Sequence, residues 1–511
     1  MVDASSSMMP MQPQGNDPAH ISTWKIALVL GIFALISGFV FSKMPIAIPA
    51  IALGAGYFWF CFNRPVWAAV VFLFCLVAVP VYLRLPPVGP LPPPPIAITM
   101  LLSLAGAAVL AKMTGIHAPI WSKGGRRLFA AYLLWGLVML ISLMNERTGS
   151  ESVNMWVKAV IFPIAVIAIL TKALRSTADV DIAYQALLAS ALTISAYGVW
   201  EYSAGENWLM NTFMTDLTRE WSVDDFSSLA SAGESYRSFS VFTQPIEFAT
   251  CVGMIYPYAL VQIGLAKSFL HRVAYGVLAI ICLAGIASSF SRMPLAAALL
   301  GALLVSIIIK PLRVWLVSGV VTGALGFLAA WPWIGPMIAS RLSDVDNLTV
   351  RVKLWEAALA IFYNNPVIGV GIGNYPLYHI EAIRTHLIGP FDEFGGAGVD
   401  RISVAESTYF QMAAEAGILG LITLALMMIV FFVLVYRGFR ASRSIRQKGL
   451  YIAVGLGGLN YLTNSLTITA YTHFTSTMLL LGVFFAFIII LDRELDASKA
   501  EDETLAESGA K

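Results

Sequence analysis

The feature that most constrains this chain is a succession of long apolar stretches. A helix that crosses the hydrocarbon core of a bilayer needs roughly 20 apolar residues, with ~17–25 as the usual range. The composition agrees with such helices, because 58% of the 511 residues are hydrophobic and only 12% are charged. We therefore predict an all-α, polytopic integral membrane protein with about 12–14 transmembrane helices. The predicted spans lie near 24–41, 44–62, 66–82, 96–111, 126–144, 158–171, 181–201, 246–266, 272–288, 293–309, 313–330, 416–436, 449–468 and 475–491.

Both ends of the chain are polar. Residues 1–23 have no basic n-region, so the first span is predicted to be a retained signal anchor. Residues 492–511 are acidic and rich in Ala and Ser, which predicts a disordered cytoplasmic tail. Basic residues collect in loops on the side of both termini, as between Lys112 and Arg127 and between Arg437 and Lys448. Because such loops stay inside, we predict that both termini lie in the cytoplasm.

One long polar excursion interrupts the apolar stretches, at 331–415. It separates a transmembrane bundle at 24–330 from C-terminal helices at 416–491. The predicted topology places it on the outer side, which makes it a large periplasmic loop if the cell is Gram-negative. Two smaller outer loops are predicted at 83–95, which is rich in proline, and at 202–245. A membrane protein that keeps one large polar loop is expected to act there.

Two arginines stand at the predicted outer ends of spans. Arg237 comes shortly before Pro245, and Thr243 or Gln244 is the expected helix cap. Arg292 is likewise followed closely by a proline, Pro294. A guanidinium beside free N–H groups at a helix N-terminus suits a phosphate or diphosphate. The alternative is that each arginine extends to lipid headgroups or pairs with a loop carboxylate. A functional role is better supported for Arg292 than for Arg237. Arg292 lies in a tight turn between apolar spans, where a charge is costly unless it is used.

Within the large loop, Arg351 begins a predicted amphipathic helix from Thr349 to Tyr363. This arginine is expected either to contact substrate or to form a salt bridge near the helix start. The partners considered for the salt bridge are Asp344, Asp346 and Glu356.

The glycines between Gly369 and Gly373 predict a tight turn, because no strand–helix context of a phosphate loop surrounds them. Asp344-Val345-Asp346 has the spacing of metal-dependent transferases. The same triplet recurs at Asp179-Val180-Asp181 on the inner side, so chance explains the spacing better. We predict no metal and no cofactor. The four cysteines have no CxxC spacing and are expected to be free and buried.

Several groups in the outer loops could serve as a general base. A histidine with a pKa near its ordinary value of ~6.5 could accept a proton at working pH. Each of these groups taken alone is more often a solvated side chain. The candidates are His379, His386, Glu406, Glu247, Asp400 and His473.

Four motifs occur in order over the second half of the chain. They are Arg237 with Phe242-Thr243-Gln244-Pro245; Ser289-Phe290-Ser291-Arg292; Arg351-x-x-x-Trp355-x-x-Ala358 leading to Pro366-x-x-Gly369-x-Gly371; and Glu406-Ser407-x-Tyr409-Phe410 leading to Glu415-x-Gly417. Together they resemble the O-antigen ligase/polymerase superfamily.

The resemblance implies a metal-independent, membrane-embedded glycosyltransferase with a GT-C-like architecture. Its donor would be a glycan on undecaprenyl diphosphate, and its partners would be a lipid or glycan acceptor, the bilayer and other polysaccharide assembly proteins. The membrane would be the bacterial inner membrane, and no nucleic acid is implied. Arg237 and Arg292 would hold the diphosphate and stabilise the leaving group, with Glu406, His379 or His386 as the base. The residues implied in substrate binding are Arg351, Ser291, Gln244, Tyr409 and Asn374.

One position departs from the family pattern. Ligases that transfer glycan to lipid A-core tend to carry a His-Asn pair where this chain has Glu406 and Ser407. This difference favours a polymerase of O-antigen or exopolysaccharide repeats over a ligase. A transporter or flippase of lipid-linked glycan is the alternative from another class. It is disfavoured because ionisable residues are absent near mid-span and no internal repeat is visible.

Overall fold

A computed structural model describes residues 47–80, 83, 96–113, 121–145, 149–213, 231–232, 235–309, 311–314, 317, 346–386, 404–473 and 475–509. The predicted tail 1–23, the span 24–41 and most of the span 313–330 lie outside these residues. So do nearly all of the loop 83–95 and the candidate base Asp400. The regular structure is helical apart from one antiparallel pairing of Ser231–Ala232 with Ser235–Tyr236.

The helices are numbered in chain order. They are α1 (Ala47–Asn63), α2 (Pro65–Ala78), α3 (Ile96–Met113), α4 (Lys123–Ser142), α5 (Ser150–Ala173, with a π-helical turn at Val157–Ile161), α6 (Thr177–Ala204), α7 (Trp208–Phe213), α8 (Pro245–Leu265), α9 (Phe269–Ser288), α10 (Arg292–Ile308), α11 (Asp346–Asn364), α12 (Tyr375–His386), α13 (Thr408–Ala441), α14 (Ile445–Asn464), α15 (Ala470–His473) and α16 (Thr475–Gly509).

Seven of the described helices are long and apolar enough to cross a membrane: α4, α5, α6, α8, α9, α13 and α16. Shorter apolar helices are α2, the middle of α3 and α10. This part of the chain is therefore that of a polytopic helical membrane protein, as predicted.

The centre of the bundle is formed by α16 and α8. The apolar span of α16 is 94% buried and that of α8 is 83% buried, whereas only 22% of the span in α9 is buried. Small residues let α14 approach α8 closely, since a Cβ added at Gly457 would lie 2.6 Å from the Met254 carbonyl oxygen. Close backbone approach at glycine is the usual packing device where lipid removes the hydrophobic driving force between helices.

A buried polar cluster, the Asp181 cluster, joins three helix ends at one side of the bundle. The Asp181 carboxylate accepts from the Tyr258 hydroxyl at 2.8 Å and pairs with the Arg446 guanidinium. It thereby ties the start of α6 to the end of α8 and the start of α14. Asp179 has another task, because it forms a capping box with Ser176 at the start of α6. These roles account for the aspartate triplet without a metal.

The structure differs from the prediction at the C-terminus, where helix replaces the disordered tail predicted for 492–511 as far as Gly509. The segment is rich in Ala, Glu, Lys and Leu, which are good helix formers. Its first turn is also held in place. Ser122 donates to Asp492 at 2.6 Å, and Arg493 donates to three carbonyl oxygens at the end of α5, including that of Thr171 at 3.0 Å.

Candidate functional site

The opposite end of α6 holds the segment that carries Arg237. This Arg237 segment, residues 236–240, is bound to α6 through Tyr236, Ser238 and Ser240. The arginine itself points toward the turn between α9 and α10. Its Nε donates to the Ser289 carbonyl oxygen at 3.1 Å, and Nη2 donates to Ser291 Oγ at 3.3 Å.

The turn between α9 and α10 is built to approach this segment. The Ser288 carbonyl oxygen accepts from the Ser238 N–H at 3.1 Å. Phe290 has a φ of +51°, and the Ser291 N–H donates to Ser289 Oγ at 3.1 Å. The turn therefore reverses the chain sharply and ends at Arg292, the exposed first residue of α10.

Arg237 and Arg292 consequently lie at the same face and close together. Ser291, which accepts from Arg237, directly precedes Arg292, and consecutive Cα atoms are ~3.8 Å apart. Ser291 is the N-cap residue of α10 and its side chain makes no capping hydrogen bond, so it leaves the N–H groups of the first turn unused by this cap. The Arg237 guanidinium, the backbone of Arg292 and the positive end of a helix dipole thus meet at one place.

Gln244 and Pro245 have the predicted local roles. Pro245 is the first residue of α8 and Gln244 is its N-cap residue, with a carbonyl oxygen that accepts from the Phe248 N–H at 3.2 Å. The Gln244 side chain makes no capping hydrogen bond, so its use in substrate binding stays a prediction.

Arg351 pairs with Glu406, a partner that the sequence had not suggested. Its Nε lies 2.7 Å from the Glu406 carboxylate, and the two side chains are 28% and 34% exposed. The ion pair joins the first turns of α11 to the residue two before α13. Glu406 has a φ of +48°, in the left-handed region that a non-glycine residue rarely occupies. Two predicted site residues are therefore in contact.

The segment that carries Glu406 is fixed from two sides. Trp355 of α11 stacks on Phe410, with ring centroids 5.1 Å apart. On the other side, the Thr408 N–H and hydroxyl both donate to the Ile468 carbonyl oxygen, each at 2.7 Å. The strained backbone of Glu406 is thus held in place by the stacking and hydrogen bonds of its neighbours.

Tyr409 connects this region to an apolar groove of about 740 Å³ that runs along α13. Its hydroxyl donates to the Leu462 carbonyl oxygen at 2.8 Å, which leaves the ring to line one end of the groove. The other end is at Tyr436. Between them the lining is formed by aliphatic and aromatic side chains, among them Leu424, Met428 and Phe432.

The glycine turn has the tight geometry that was predicted. Gly369, Gly371 and Gly373 all have positive φ, at 67°, 98° and 79°. A Cβ at Gly369 would lie 2.3 Å from the Glu415 carbonyl carbon, so the turn packs directly on the α13 backbone. The Glu415 side chain is fully buried and accepts from the Tyr471 hydroxyl at 2.7 Å and from Gln411 at 2.9 Å.

The remaining predicted residues have mainly local partners. Asn374 is buried, and its amide donates to the Val370 carbonyl oxygen at 2.7 Å. His379 is 1% exposed, stacks on Tyr375, and lies with Nδ1 2.9 Å from the Pro376 carbonyl oxygen. Because a carbonyl oxygen only accepts, that nitrogen carries the proton. The side chain of His386, at the end of α12, lies outside the described residues, as does that of His473. Glu247 is buried.

Sequence reasoning assigned no role to two carboxylates that organise this face. Glu201, fully buried near the end of α6, accepts from the Tyr236 hydroxyl and from two N–H groups of the Arg237 segment. Glu415 does similar work beneath the glycine turn. The available signal was a single acidic residue near the end of an apolar stretch, where a charge is costly unless it is used.

The fold is that of a polytopic helical membrane protein, and Arg237 and Arg292 lie at one end of its bundle. Residues 277–425 match the family model described as O-antigen ligase, so this part of the chain is similar to that family, in agreement with the resemblance seen in the four motifs. The match includes Arg292, Arg351 and Glu406, and it begins after Arg237. The match supports a function of the O-antigen ligase or polymerase type in general. No curated protein sequence matches the chain.

Proposed function

We propose that this protein is a membrane glycosyltransferase that polymerises or transfers glycan repeats carried on undecaprenyl diphosphate. The observation that carries the proposal is the contact of Arg237 with Ser289 and Ser291, which brings it beside Arg292 at the start of α10. Arginine suits a diphosphate because its planar fork binds two oxygens at once and keeps its charge.

In the proposed reaction an acceptor hydroxyl attacks the anomeric carbon of the donor glycan. The new bond joins the acceptor oxygen to that carbon as the bond from carbon to the diphosphate oxygen breaks, with inversion. The hydroxyl proton passes to a base, and the leaving diphosphate gains negative charge. Arg237, Arg292 and the N-terminus of α10 stabilise that charge, which is an electrostatic contribution to the transition state. No metal takes part in the proposed step.

Glu406 is the base that the geometry supports best. Its carboxylate is a third exposed, and Arg351 orients it by the 2.7 Å ion pair. Its left-handed backbone is the kind of strain that persists at functional sites. His379 is less suited, because it is buried and bonded within its own helix turn.

The apolar groove along α13 supports a lipid-linked donor. It begins at Tyr409, three residues after Glu406, and its lining is apolar, as binding of an isoprenoid chain requires. A donor chain in this groove would keep its diphosphate at the membrane face that carries the arginines. In the full proposal this is the periplasmic face of the inner membrane. The termini are cytoplasmic, the architecture is GT-C-like with about 12–14 transmembrane helices, and 331–415 forms the periplasmic loop.

Polymerase is favoured over ligase by Glu406 and Ser407, which replace the His-Asn pair of the ligases. Gel analysis of surface glycans after gene disruption tests this choice. We expect loss of high-mass polymer, with single repeats still attached. Loss of all attached glycan would instead identify a ligase onto lipid A-core. Unchanged glycan outside the cell together with normal chain length would refute both.

The role of the arginines is tested by Arg292→Lys in the full-length protein. Lysine keeps the positive charge and removes the fork, so we expect activity to fall at least about a hundredfold, as for loss of a transition-state donor. Expression and thermal stability should stay near wild type, since Arg292 is exposed. Arg313→Lys, an exposed arginine near the far end of α10, is the matched control and should be active. Normal glycan length in Arg292→Lys would contradict the proposal. The alternative function, a flippase, would move lipid-linked repeats across the membrane but would form no glycosidic bond in an assay with purified protein.

A further inference from the structure

The Arg237 segment follows a single stripe of α6. Ser240 Oγ donates to the Ile194 carbonyl oxygen at 2.8 Å, and Ser238 Oγ donates to that of Gly198 at 2.7 Å. The Tyr236 hydroxyl donates to Glu201 Oε1, also at 2.8 Å. Alternate residues of an extended segment are about 6.6 Å apart, and three or four helical residues rise about 4.5–6 Å. The spacing of alternate residues in the segment is thus similar to the rise of one helical turn, so each alternate side chain can form a hydrogen bond with α6.

Glu201 is the strongest anchor of this arrangement. Besides the Tyr236 hydroxyl, its carboxylate accepts from the Phe239 N–H at 3.1 Å and from the Ser240 N–H at 2.7 Å. Ser240 has a φ of +54°, so one of these bonds holds a strained residue. Burial raises the pKa of the Tyr236 phenol, which therefore keeps its proton and donates.

The alternation determines where Arg237 points. Side chains of successive residues in an extended segment project to opposite sides. Since Tyr236 and Ser238 bind α6, the residue between them faces away from α6, toward Ser289 and Ser291. We propose that Glu201 is a positioning residue for Arg237, which fixes its guanidinium where the donor diphosphate is held. This inference rests on the proposed function.

The test is a double-mutant cycle on binding of farnesyl diphosphate, a short lipid diphosphate, to the full-length protein. Arg237→Ala should weaken binding about tenfold or more, because hydrogen bonds to charged groups are lost. Glu201→Gln places an amide N–H against a backbone donor and should weaken binding about three- to tenfold. Residues that act through one another are not additive. Glu201→Gln should therefore have no further effect in the Arg237→Ala background.

A second readout is the transfer rate with saturating acceptor. A displacement of about 1 Å at a catalytic group can cost about a hundredfold, so Glu201→Gln should lower kcat ten- to hundredfold with the KM for acceptor unchanged. Tyr236→Phe removes only one of the three bonds to Glu201 and should give a smaller loss, about threefold. This variant decides the matter if Glu201→Gln does not fold.

The matched control is Asp181→Asn. Asp181 is also a buried carboxylate that accepts from a tyrosine hydroxyl, and it lies twenty residues earlier in α6, about 30 Å away. It should lower thermal stability without changing diphosphate affinity. Wild-type affinity and rate in both Glu201→Gln and Tyr236→Phe would overturn the inference. It would also be overturned if Glu201→Gln weakened diphosphate binding equally in the wild-type and the Arg237→Ala backgrounds. Wild-type affinity in Arg237→Ala would instead overturn the proposed function.

Discussion

Three non-glycine residues among those described have φ in the left-handed region, and all three border the proposed site. They are Ser240, Phe290 and Glu406, with φ of 54°, 51° and 48°. Such conformations cost of order 1–3 kcal/mol each and persist only where the surroundings determine them. Ser240 and Phe290 shape the two segments that meet at Arg237, and Glu406 is the proposed base. The backbone strain of the described chain is thus concentrated where the chemistry is proposed.

At this scale the sharpest prediction concerns Glu406→Gln. The amide keeps the shape of the side chain but can neither accept the acceptor proton effectively nor form the ion pair with Arg351. We expect kcat to fall about 10²–10⁴-fold, the usual contribution of a general base, with donor affinity nearly unchanged. Rates are measured with purified protein and a lipid-linked glycan donor.

The control for Glu406→Gln is Glu356→Gln. Glu356 is an exposed carboxylate on the same helix as Arg351, so its loss should leave the rate within about twofold of wild type, as for a surface residue. A transfer rate in Glu406→Gln above a tenth of the wild-type rate would exclude Glu406 as the base and leave His379 and His386 as candidates.

The sequence suggested candidate site residues more readily than it suggested the partners of their side chains. Arg237 and Arg292 could be linked beforehand because each precedes a proline at the outer end of a span. The pairing of Arg351 with Glu406 could not, because it joins residues 55 positions apart through the packing of α11 on α13. Glu201 was missed for the same reason, since its hydrogen bonds go to residues more than thirty positions away.

At the scale of elements, the break in α13 matters most. Gly417 has φ 64° and ψ −160°, a conformation essentially confined to glycine, and the helix axis changes there. The Pro366 carbonyl oxygen accepts from the Ile418 N–H at 2.8 Å, so the loop after α11 supplies a partner for backbone that the break exposes. The break therefore docks the loop-side helices on the transmembrane helix.

Gly417→Ala should disrupt this docking. Its Cβ would lie 2.4 Å from the Val367 carbonyl carbon, and backbone cannot move aside as a flexible side chain can. We expect a loss of about 2–4 kcal/mol, from the unfavourable conformation together with overpacking, and a parallel loss of transfer activity. Thermal unfolding in detergent measures the first effect.

Gly276→Ala in α9 is the control, because a Cβ there meets nothing within 4 Å. It should be neutral or stabilising by up to about 1 kcal/mol through helix propensity. Wild-type unfolding of Gly417→Ala would show that the break contributes little to docking.

The elements could be predicted where local signals fix them. The start of α8 at Pro245 follows from proline at a first helical turn, and α11 begins three residues before the predicted start at Thr349. The break at Gly417 could not be predicted, because a glycine in an apolar run equally suits close helix packing. Only the contact with Val367 and Ile368 distinguishes the two.

At the scale of the whole molecule, α6 connects two buried carboxylates near its opposite ends. The Asp181 cluster secures α8 and α14 at one side of the bundle, and Glu201 secures the Arg237 segment at the other. The first is structural, and the second is proposed to act in catalysis. Stability and activity should therefore respond separately to changes at the two ends.

Arg446→Gln tests this separation. It leaves the buried Asp181 carboxylate without its cation, and breaking a buried ion pair usually costs about 3–5 kcal/mol. Because the Arg446 side chain is 53% exposed, we expect a smaller loss, about 1–3 kcal/mol. Thermal unfolding should shift down, while the transfer rate measured well below the unfolding temperature stays near wild type. Exposed Arg440→Gln should change neither quantity, and a lower rate in Arg446→Gln at full folding would contradict the separation.

After Tyr236, the Arg237 segment is neither helix nor strand, yet its N–H groups at residues 238, 239 and 240 all donate to acceptors within the protein. Irregular backbone can enter the membrane only when its polar groups are satisfied in this way. An arginine at the end of an ordinary span adjusts its height by bending its flexible side chain toward water. Arg237 is instead held in place by the hydrogen-bonded residues on either side of it. For the proposed lipid-linked donor, whose phosphates stay at the membrane surface, a guanidinium held by backbone would select ligands by their depth in the membrane as well as by their charge.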